Sequence, residues 1–309
     1  MRNRFVETLE KIARRDKRVV LLTGDLGFTV FESFQRKFPQ RFFNFGVTED
    51  AMISAAVGLA RSGKIPLVYS IAPFITLRPF EQIRNDICMH NANVKIVGVG
   101  AGLAYASAGP SHHVLEDVAV LRTLPNMTIV CPADPLETAH ALPAIIKHNG
   151  PLYLRLGKSG EPTITKTKQF KIGKATLLKT LGDVILISYG PILAEVVSAA
   201  QILEKRKIKS AVVNMSTIKP LDVNLLQKLF RTARAVFTIE EHSIIGGLGS
   251  TVAEYLAESN VHIPFKRLGI DDMFSFKIGS HALLRQYHLL DASNIAQTIM
   301  SHLRSYESA

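Results

Sequence analysis

Short β-rich runs alternate with helical patterns almost from one end of this chain to the other, and that alternation constrains its fold more than any other feature. The runs Val19–Thr23, Ile65–Ala72, Val94–Gly100, Met127–Ala133 and Pro151–Gly157 are largely apolar along their whole length, not on alternate residues. A strand that is apolar on both sides must be covered on both sides, which calls for a mainly parallel sheet between helices. The stretches around Asp50–Arg61, Phe80–His90, Leu115–Arg122 and Pro135–Lys147 supply those helices. Periodicity then lapses in Lys158–Thr180, which is polar, basic and turn-rich and reads as an interdomain linker with a short strand. A second alternating block follows, with strands near Val184–Tyr189, Ser210–Met215, Ala235–Glu240 and Pro264–Leu268. It closes on a helix over Ala292–Leu303, apolar at Ile295, Ile299 and Leu303. The fold expected is α/β: two tandem three-layer α/β/α domains with mainly parallel sheets. Their expected bounds are residues 1–160 and 181–309, with a linker over 161–180.

Size and charge narrow the function classes. A chain of 309 residues, 47% hydrophobic, has material for two cores. No apolar run approaches the ~18 residues of a membrane span. The start, "MRNRFVETLEKIARRDK", reads as an amphipathic helix with Phe5, Leu9 and Ile12 on one face, not as a secretory signal. Cys88 and Cys131 sit in apolar context without metal-ligand spacing, so a reducing, cytoplasmic setting is expected. The net charge of +11 raises the question of nucleic acid. The basic clusters, Arg14–Arg18 and Lys205–Lys209, carry no interleaved aromatics and no nucleic-acid motif frames them. Solvated helix ends account for them, and an attraction for phosphorylated small molecules fits as well.

One helix start stands out. "GVTEDAMISAAVGLARSG" has a cap-like Thr48, then Glu49 and Asp50, an apolar body, and Gly63 as a stop. Acids there balance the positive helix end, which is a sufficient reading for an isolated helix. The surrounding text adds another. "FNFGVTEDAMISAAVGLARSGKIPLVYS", "RPFEQIRNDICMHNANVKIVG" and "GPSHHVLEDVAVLRTLPNMTIVCPADPLET" follow in one order at tight spacing. Together they resemble the pyrimidine-binding domain of thiamine-diphosphate enzymes of the transketolase family. "DVILISYGPILAEVVSAAQIL" and "TIEEHSIIGGLGSTVAEYL" resemble that family's C-terminal domain, so the likeness covers nearly the whole chain.

The resemblance implies roles for particular residues. Glu49 matches the glutamate that hydrogen-bonds the cofactor's aminopyrimidine ring and so promotes loss of the thiazolium proton. Apolar surroundings from Phe45, Met52 and Ile53 are expected to raise its pKa toward that task. Phe74 matches the aromatic residue packed on the ring, but the spacing differs by about one residue, so Ile75 can take that place. Asp25, in "TGDLG", matches an aspartate that approaches the cofactor; a turn-forming Asp before Gly is the plainer reading. His112, in "GPSHH", matches the histidine that bonds substrate oxygens or shuttles protons, and His113 stands beside it where Gln is usual. Arg2 and Lys158 match positions that contact substrate phosphate, though a solvated terminal arginine and a solvated linker lysine are the plainer readings. The paired histidines lack a third neighbour for zinc. Glu240, Glu241 and His242 read as a strand-end loop without a catalytic role, and "GGLGS" as a close-packing turn, not a phosphate loop.

Two departures concern the substrate. Ala108 stands where the sugar-using enzymes carry an aspartate that reads donor hydroxyls, and Gly100 where they carry a donor-side histidine. Losing a charged partner removes about 1.5–3 kcal/mol of discrimination, so a modified sugar, a deoxy compound or a 2-oxo acid enters consideration. A third departure concerns assembly. The family holds magnesium and diphosphate with G-D-G followed roughly thirty residues later by Asn, a set of hard oxygen ligands. Here "GDLG" with Asn44 has the wrong spacing. The resemblance therefore implies half of a split enzyme, in α2β2 form, whose N-terminal partner subunit supplies the Mg2+ and diphosphate site. The expected activity is transfer of a two-carbon ketol unit between sugar or sugar phosphate substrates. The alternatives are the beta subunit of a 2-oxoacid dehydrogenase's decarboxylating component, a deoxyxylulose-phosphate-synthase-like enzyme, and a partner that has lost catalysis.

Overall fold

The computed structural model describes residues 1–27, 29–166, 169–180 and 182–307. Thr167 and Lys168 of the expected linker, and Leu181, Ser308 and Ala309 of the expected second domain, lie outside them. Twelve strands are seen among the described residues: β1 Val19–Thr23, β2 Phe42–Asn44, β3 Ile65–Ile71, β4 Lys95–Val99, β5 Thr128–Val130, β6 Leu152–Leu156, β7 Thr176–Lys179, β8 Val184–Ser188, β9 Ser210–Asn214, β10 Thr217–Lys219, β11 Ala235–Ser243 and β12 Phe265–Ile270. They form a seven-stranded sheet, ordered β10-β5-β6-β4-β3-β1-β2, and a five-stranded one, ordered β12-β11-β8-β9-β7. Each sheet is parallel except at one edge, where β10 runs against β5 and β7 against β9.

The continuous apolar strands divide their side chains between two helical layers. In β1, Val20 and Leu22 pack with Met52, Ile53 and Ala56 of the helix Glu49–Arg61. Val19 and Leu21 face the other way, onto Phe5 and Leu9 of the helix Arg2–Arg15. In β8, Ile185 and Ile187 meet Leu226 and Val252, while Val184 and Leu186 meet Val196, Leu203, Ile295 and Ile299. Every residue of β1, β4, β6, β8 and β9 is buried, as two-sided coverage requires. The chain is thus a pair of α/β units with helices on both faces of mainly parallel sheets.

Four features differ from the sequence reading. The helix expected over Phe80–His90 is a short α-turn, Phe80–Gln82, that widens into a π-helical stretch, Ile83–Cys88. The three-residue strands β2 and β10 were not foreseen, because three residues carry no readable period. β10 also crosses between units: it belongs in sequence to the second block yet pairs Thr217 with Val130 at the edge of the first sheet. The segment after β6 is strapped down as well, with the Ile164 and Thr165 N–H groups donating to Asp134 Oδ2 at 2.8 and 2.6 Å.

A buried ion pair within the first unit also reaches the second. Arg155, on β6, donates from Nε to Asp117 Oδ2 at 2.7 Å, and the Tyr153 hydroxyl donates to the same oxygen at 2.6 Å. Arg155 Nη2 donates to Val114 O and, in the second unit, to Glu241 O. Burial pushes the Asp117 carboxyl upward, but Arg155 and His242 outweigh it and hold the group below its ordinary range. Asp117→Asn should therefore strand a buried guanidinium and cost about 3–5 kcal/mol in urea unfolding at pH 7. Since the folded pKa lies below the ordinary 3.8, the wild-type advantage should be full above that pH and shrink as pH falls beneath it.

Candidate active site

Parallel strands end on a common edge, and loops leaving that edge are where α/β proteins place ligands. Gly24 and Asp25 follow β1, the helix Ala72–Thr76 follows β3, Gly100 follows β4, and Lys158 lies just past β6. These segments hold Asp25, Phe74, Ile75, His112, His113 and Lys158, whereas Glu49 opens the helix after β2 and Arg2 the first helix.

Glu49 opens the helix Glu49–Arg61 and is 1% exposed. Thr48 precedes it but makes no side-chain cap bond; its hydroxyl donates to Phe45 O at 2.6 Å instead. The Glu49 carboxylate is held at both oxygens. Ser70 Oγ donates to Oε1 at 2.8 Å, and Arg78 Nη1 pairs with Oε2 at 2.5 Å. The group is therefore polar-paired within an apolar region, where the sequence reading had expected Phe45, Met52 and Ile53 to set its environment. Met52 and Ile53 belong to the core beneath it. Arg78 was missed by the sequence reading, and its signal was a lone cation in the apolar stretch "FITLRPF". Space in front of the carboxylate is kept by Gly24: a Cβ there would stand 3.2 Å from Glu49 Oε1 and 3.4 Å from Ser70 Oγ. A buried acid with such a cleared approach suits a flat, nitrogen-bearing ring that shares a proton.

Beyond Glu49 the side chains form a continuous wall. The Arg78 guanidinium lies over the Phe74 ring, 5.0 Å from its centroid. Phe74 meets the His112 ring edge-on at 5.2 Å, and His112 lies 6.0 Å from Tyr105. Lys158 Nζ sits 4.5 Å over the Tyr105 ring. Of the two residues left open by spacing, Phe74 stands in this wall and Ile75 is fully buried in the core. His112 Nδ1 is 3.0 Å from Ser111 Oγ. His113 turns the other way: its ring is buried, with Nε2 3.3 Å from Ala106 O, and burial lowers its pKa.

The remaining candidates lie around this wall. Asp25 has φ +52° and is clasped to Asn44, its N–H donating to Oδ1 at 3.0 Å and its Oδ1 accepting from Nδ2 at 3.2 Å. Arg2 opens the first helix and, together with Arg4 and Lys158, lines a cavity of ≈ 260 Å³. Its Nε is buried without a hydrogen-bond partner among the described residues. Tyr105 is the second residue that sequence reasoning missed. It occupies the space that a side chain at position 100 would need, since a Cβ on Gly100 would run into its ring. The departure at Gly100 thus exchanges one side chain for another, five residues on.

Comparison with known proteins identifies both units. Residues 1–162 match the transketolase pyrimidine-binding domain and residues 173–295 the transketolase C-terminal domain. One of the subunits of the apulose-4-phosphate transketolase of Phocaeicola vulgatus is 35% identical over 306 residues, covering 98% of this chain and 97% of that one. The 6-deoxy-6-sulfo-D-fructose transketolase subunit SqwH of Clostridium sp. (strain MSTE9) is 35% identical, covering 96% and 92%. A solved structure described as a split-gene transketolase, inactive beta4 tetramer, superposes with a TM-score of 0.91 at 37% identity, covering 98% of each chain. The fold and the two matching domains define a thiamine-dependent transferase architecture. The chain belongs to the transketolase family. No helix among the described residues is long and apolar enough to cross a membrane.

Gly100 has φ +88°, a left-handed conformation that side chains resist. Gly100→Ala should cost about 1–3 kcal/mol of stability from backbone strain alone. Thermal unfolding checks the cost, and a crystal structure of the variant should show Tyr105 displaced from His112.

Proposed function

We propose that this chain is the C-terminal subunit of a split, thiamine-diphosphate-dependent transketolase that moves a two-carbon ketol unit between sugar or sugar phosphate substrates. The observation that carries the reading is the Glu49 carboxylate, buried at the edge of an approach that Gly24 keeps clear. When bound, thiamine diphosphate supplies the carbon nucleophile that the protein's own side chains lack.

Glu49 holds a proton against the ring nitrogen of the pyrimidine. Ser70 fixes one carboxyl oxygen, so the other is aimed. Arg78 is the exposed member of the pair, its side chain 43% accessible, and would be the partner to give way to a ring nitrogen. Phe74 would border the pyrimidine, and Asp25, set by Asn44 at the end of the first strand, would help to hold the cofactor. His112 bonds substrate oxygens and passes protons to them. Arg2 and Lys158, on one cavity, attract the anionic end of a sugar phosphate; His113 supports the loop from behind. Tyr105 in place of a side chain at 100, with Ala108, leaves fewer charged partners for donor hydroxyls and favours a modified ketose. The near-full-length likeness to two transketolase subunits supports this reading over a 2-oxoacid dehydrogenase component or a deoxyxylulose-phosphate-synthase-like enzyme.

A partner subunit carries the Mg2+ and diphosphate site, in an α2β2 assembly in the cytoplasm. Relatives named as single subunits of a transketolase, and a neighbouring structure described as an inactive beta4 tetramer, support that dependence. Isolated chain should bind thiamine diphosphate weakly, and the reconstituted pair tightly with magnesium, by calorimetry. Tight magnesium-dependent binding by the isolated chain would contradict the split assembly. Glu49→Gln should keep the circular dichroism spectrum and lose about 10²–10⁴-fold in kcat of the reconstituted pair, the range for removing a positioned acid or base. Wild-type turnover in that variant would end the assignment.

A further inference from the structure

The loop that presents His112 runs from Gly100 to Val114, and much of what holds it comes from the second unit. Its base is closed by the Val114 N–H donating to Gly102 O at 3.0 Å. From across the interface, Glu241 Oε1 accepts the Leu103 N–H at 2.7 Å. The Ser243 N–H donates to Leu115 O at 2.8 Å, just beyond the loop. Glu241 lies near the end of β11, 5% exposed, and its carboxylate is fully engaged. His281 Nε2 meets Oε1 at 2.7 Å and Arg285 Nε donates to Oε2 at 2.6 Å. Burial pushes this carboxyl upward, but Arg285 and His281 outweigh it and hold it far below the ordinary range. Gly102 has φ +60°, and a Cβ there would come within 2.5 Å of Glu241 Oε1. Loop backbone and carboxylate therefore meet with no room between them.

Two consequences follow from this contact. A fixed charge accepting a backbone N–H sets the position of that peptide far more tightly than solvent would. And Leu103 lies within the same closed loop as Tyr105 and His112, two of the three rings of the wall described above. We infer that Glu241 is a positioning residue for ketol transfer, acting through Leu103 N–H and Gly102 to fix the loop that presents His112. The second unit then sets the geometry of the first unit's active-site histidine. The reaction named here rests on the function proposed above; the hold on the loop does not.

Glu241→Ala and Glu241→Gln test it in two ways. Hydrogen–deuterium exchange on the isolated chain should show residues 101–115 exchanging about tenfold or more faster in Glu241→Ala, with β1 and β8 unchanged, since a local opening differs from global loosening. In the reconstituted pair, kcat should fall about tenfold or more, as misplacement of a reacting group does, while KM and cofactor affinity hold. Glu241→Gln should fall between, because its amide oxygen still accepts from Leu103. An unchanged loop, a uniform rise in exchange through the chain, or full kcat with a loosened loop would each overturn the inference. A wild-type pair without ketol transfer would overturn the proposed function and the catalytic half of this inference, while exchange would still decide whether Glu241 holds the loop.

Discussion

A carboxylate taken out of water must be met by partners, and the Glu49 carboxylate is met by two of unequal kind. Ser70 lies on the buried strand β3 and fixes one oxygen, whereas Arg78 reaches in from a partly exposed position. Desolvation of a lone carboxylate costs several kcal/mol in proteins. The site is thus stable without a ligand, yet one of its two partners can be exchanged. Around this carboxylate, Gly24 leaves room beside the oxygen that Ser70 holds, Phe74 lies under the Arg78 guanidinium, and His112 meets Phe74.

The second unit is part of this site although it contributes none of the wall. Arg155 ties β6 to both Val114 and Glu241, β10 extends the first sheet, and Glu241 grips the loop at Leu103. The contacts of Arg155 and Leu103 with Glu241 cross between the units at charged or hydrogen-bonding groups buried from solvent. Such groups are costly when mismatched, so they specify one relative placement of the units more sharply than apolar packing does.

The sequence carried most of the fold and about half of the site. Strands such as β1, β4 and β8 were legible because two-sided burial makes them continuously apolar, and the helix at Glu49 because its acids precede an apolar body. β2 and β10 were not, for a three-residue strand has no period and Thr-Ile-Lys has no apolar face. Glu49, Phe74 and His112, singled out by local text that resembles a known family, stand along one wall in the structure. Arg78 and Tyr105 were not singled out, because each acts through a tertiary contact: Arg78 with a residue 29 positions earlier, Tyr105 with the space left by a glycine. Glu241 read as an ordinary strand-end acid for the same reason. Its partners, Leu103, His281 and Arg285, are distant in sequence.

The account turns on proton control by one buried acid, and that step can be observed apart from turnover. The direct measurement is the rate at which thiamine diphosphate, bound to the reconstituted assembly, exchanges its thiazolium carbon proton with deuterium, followed by quenched-flow proton NMR. The account predicts rapid exchange in the wild-type assembly and a rate close to that of free cofactor once Glu49 is replaced by Ala. Equal, rapid exchange in both assemblies would contradict it.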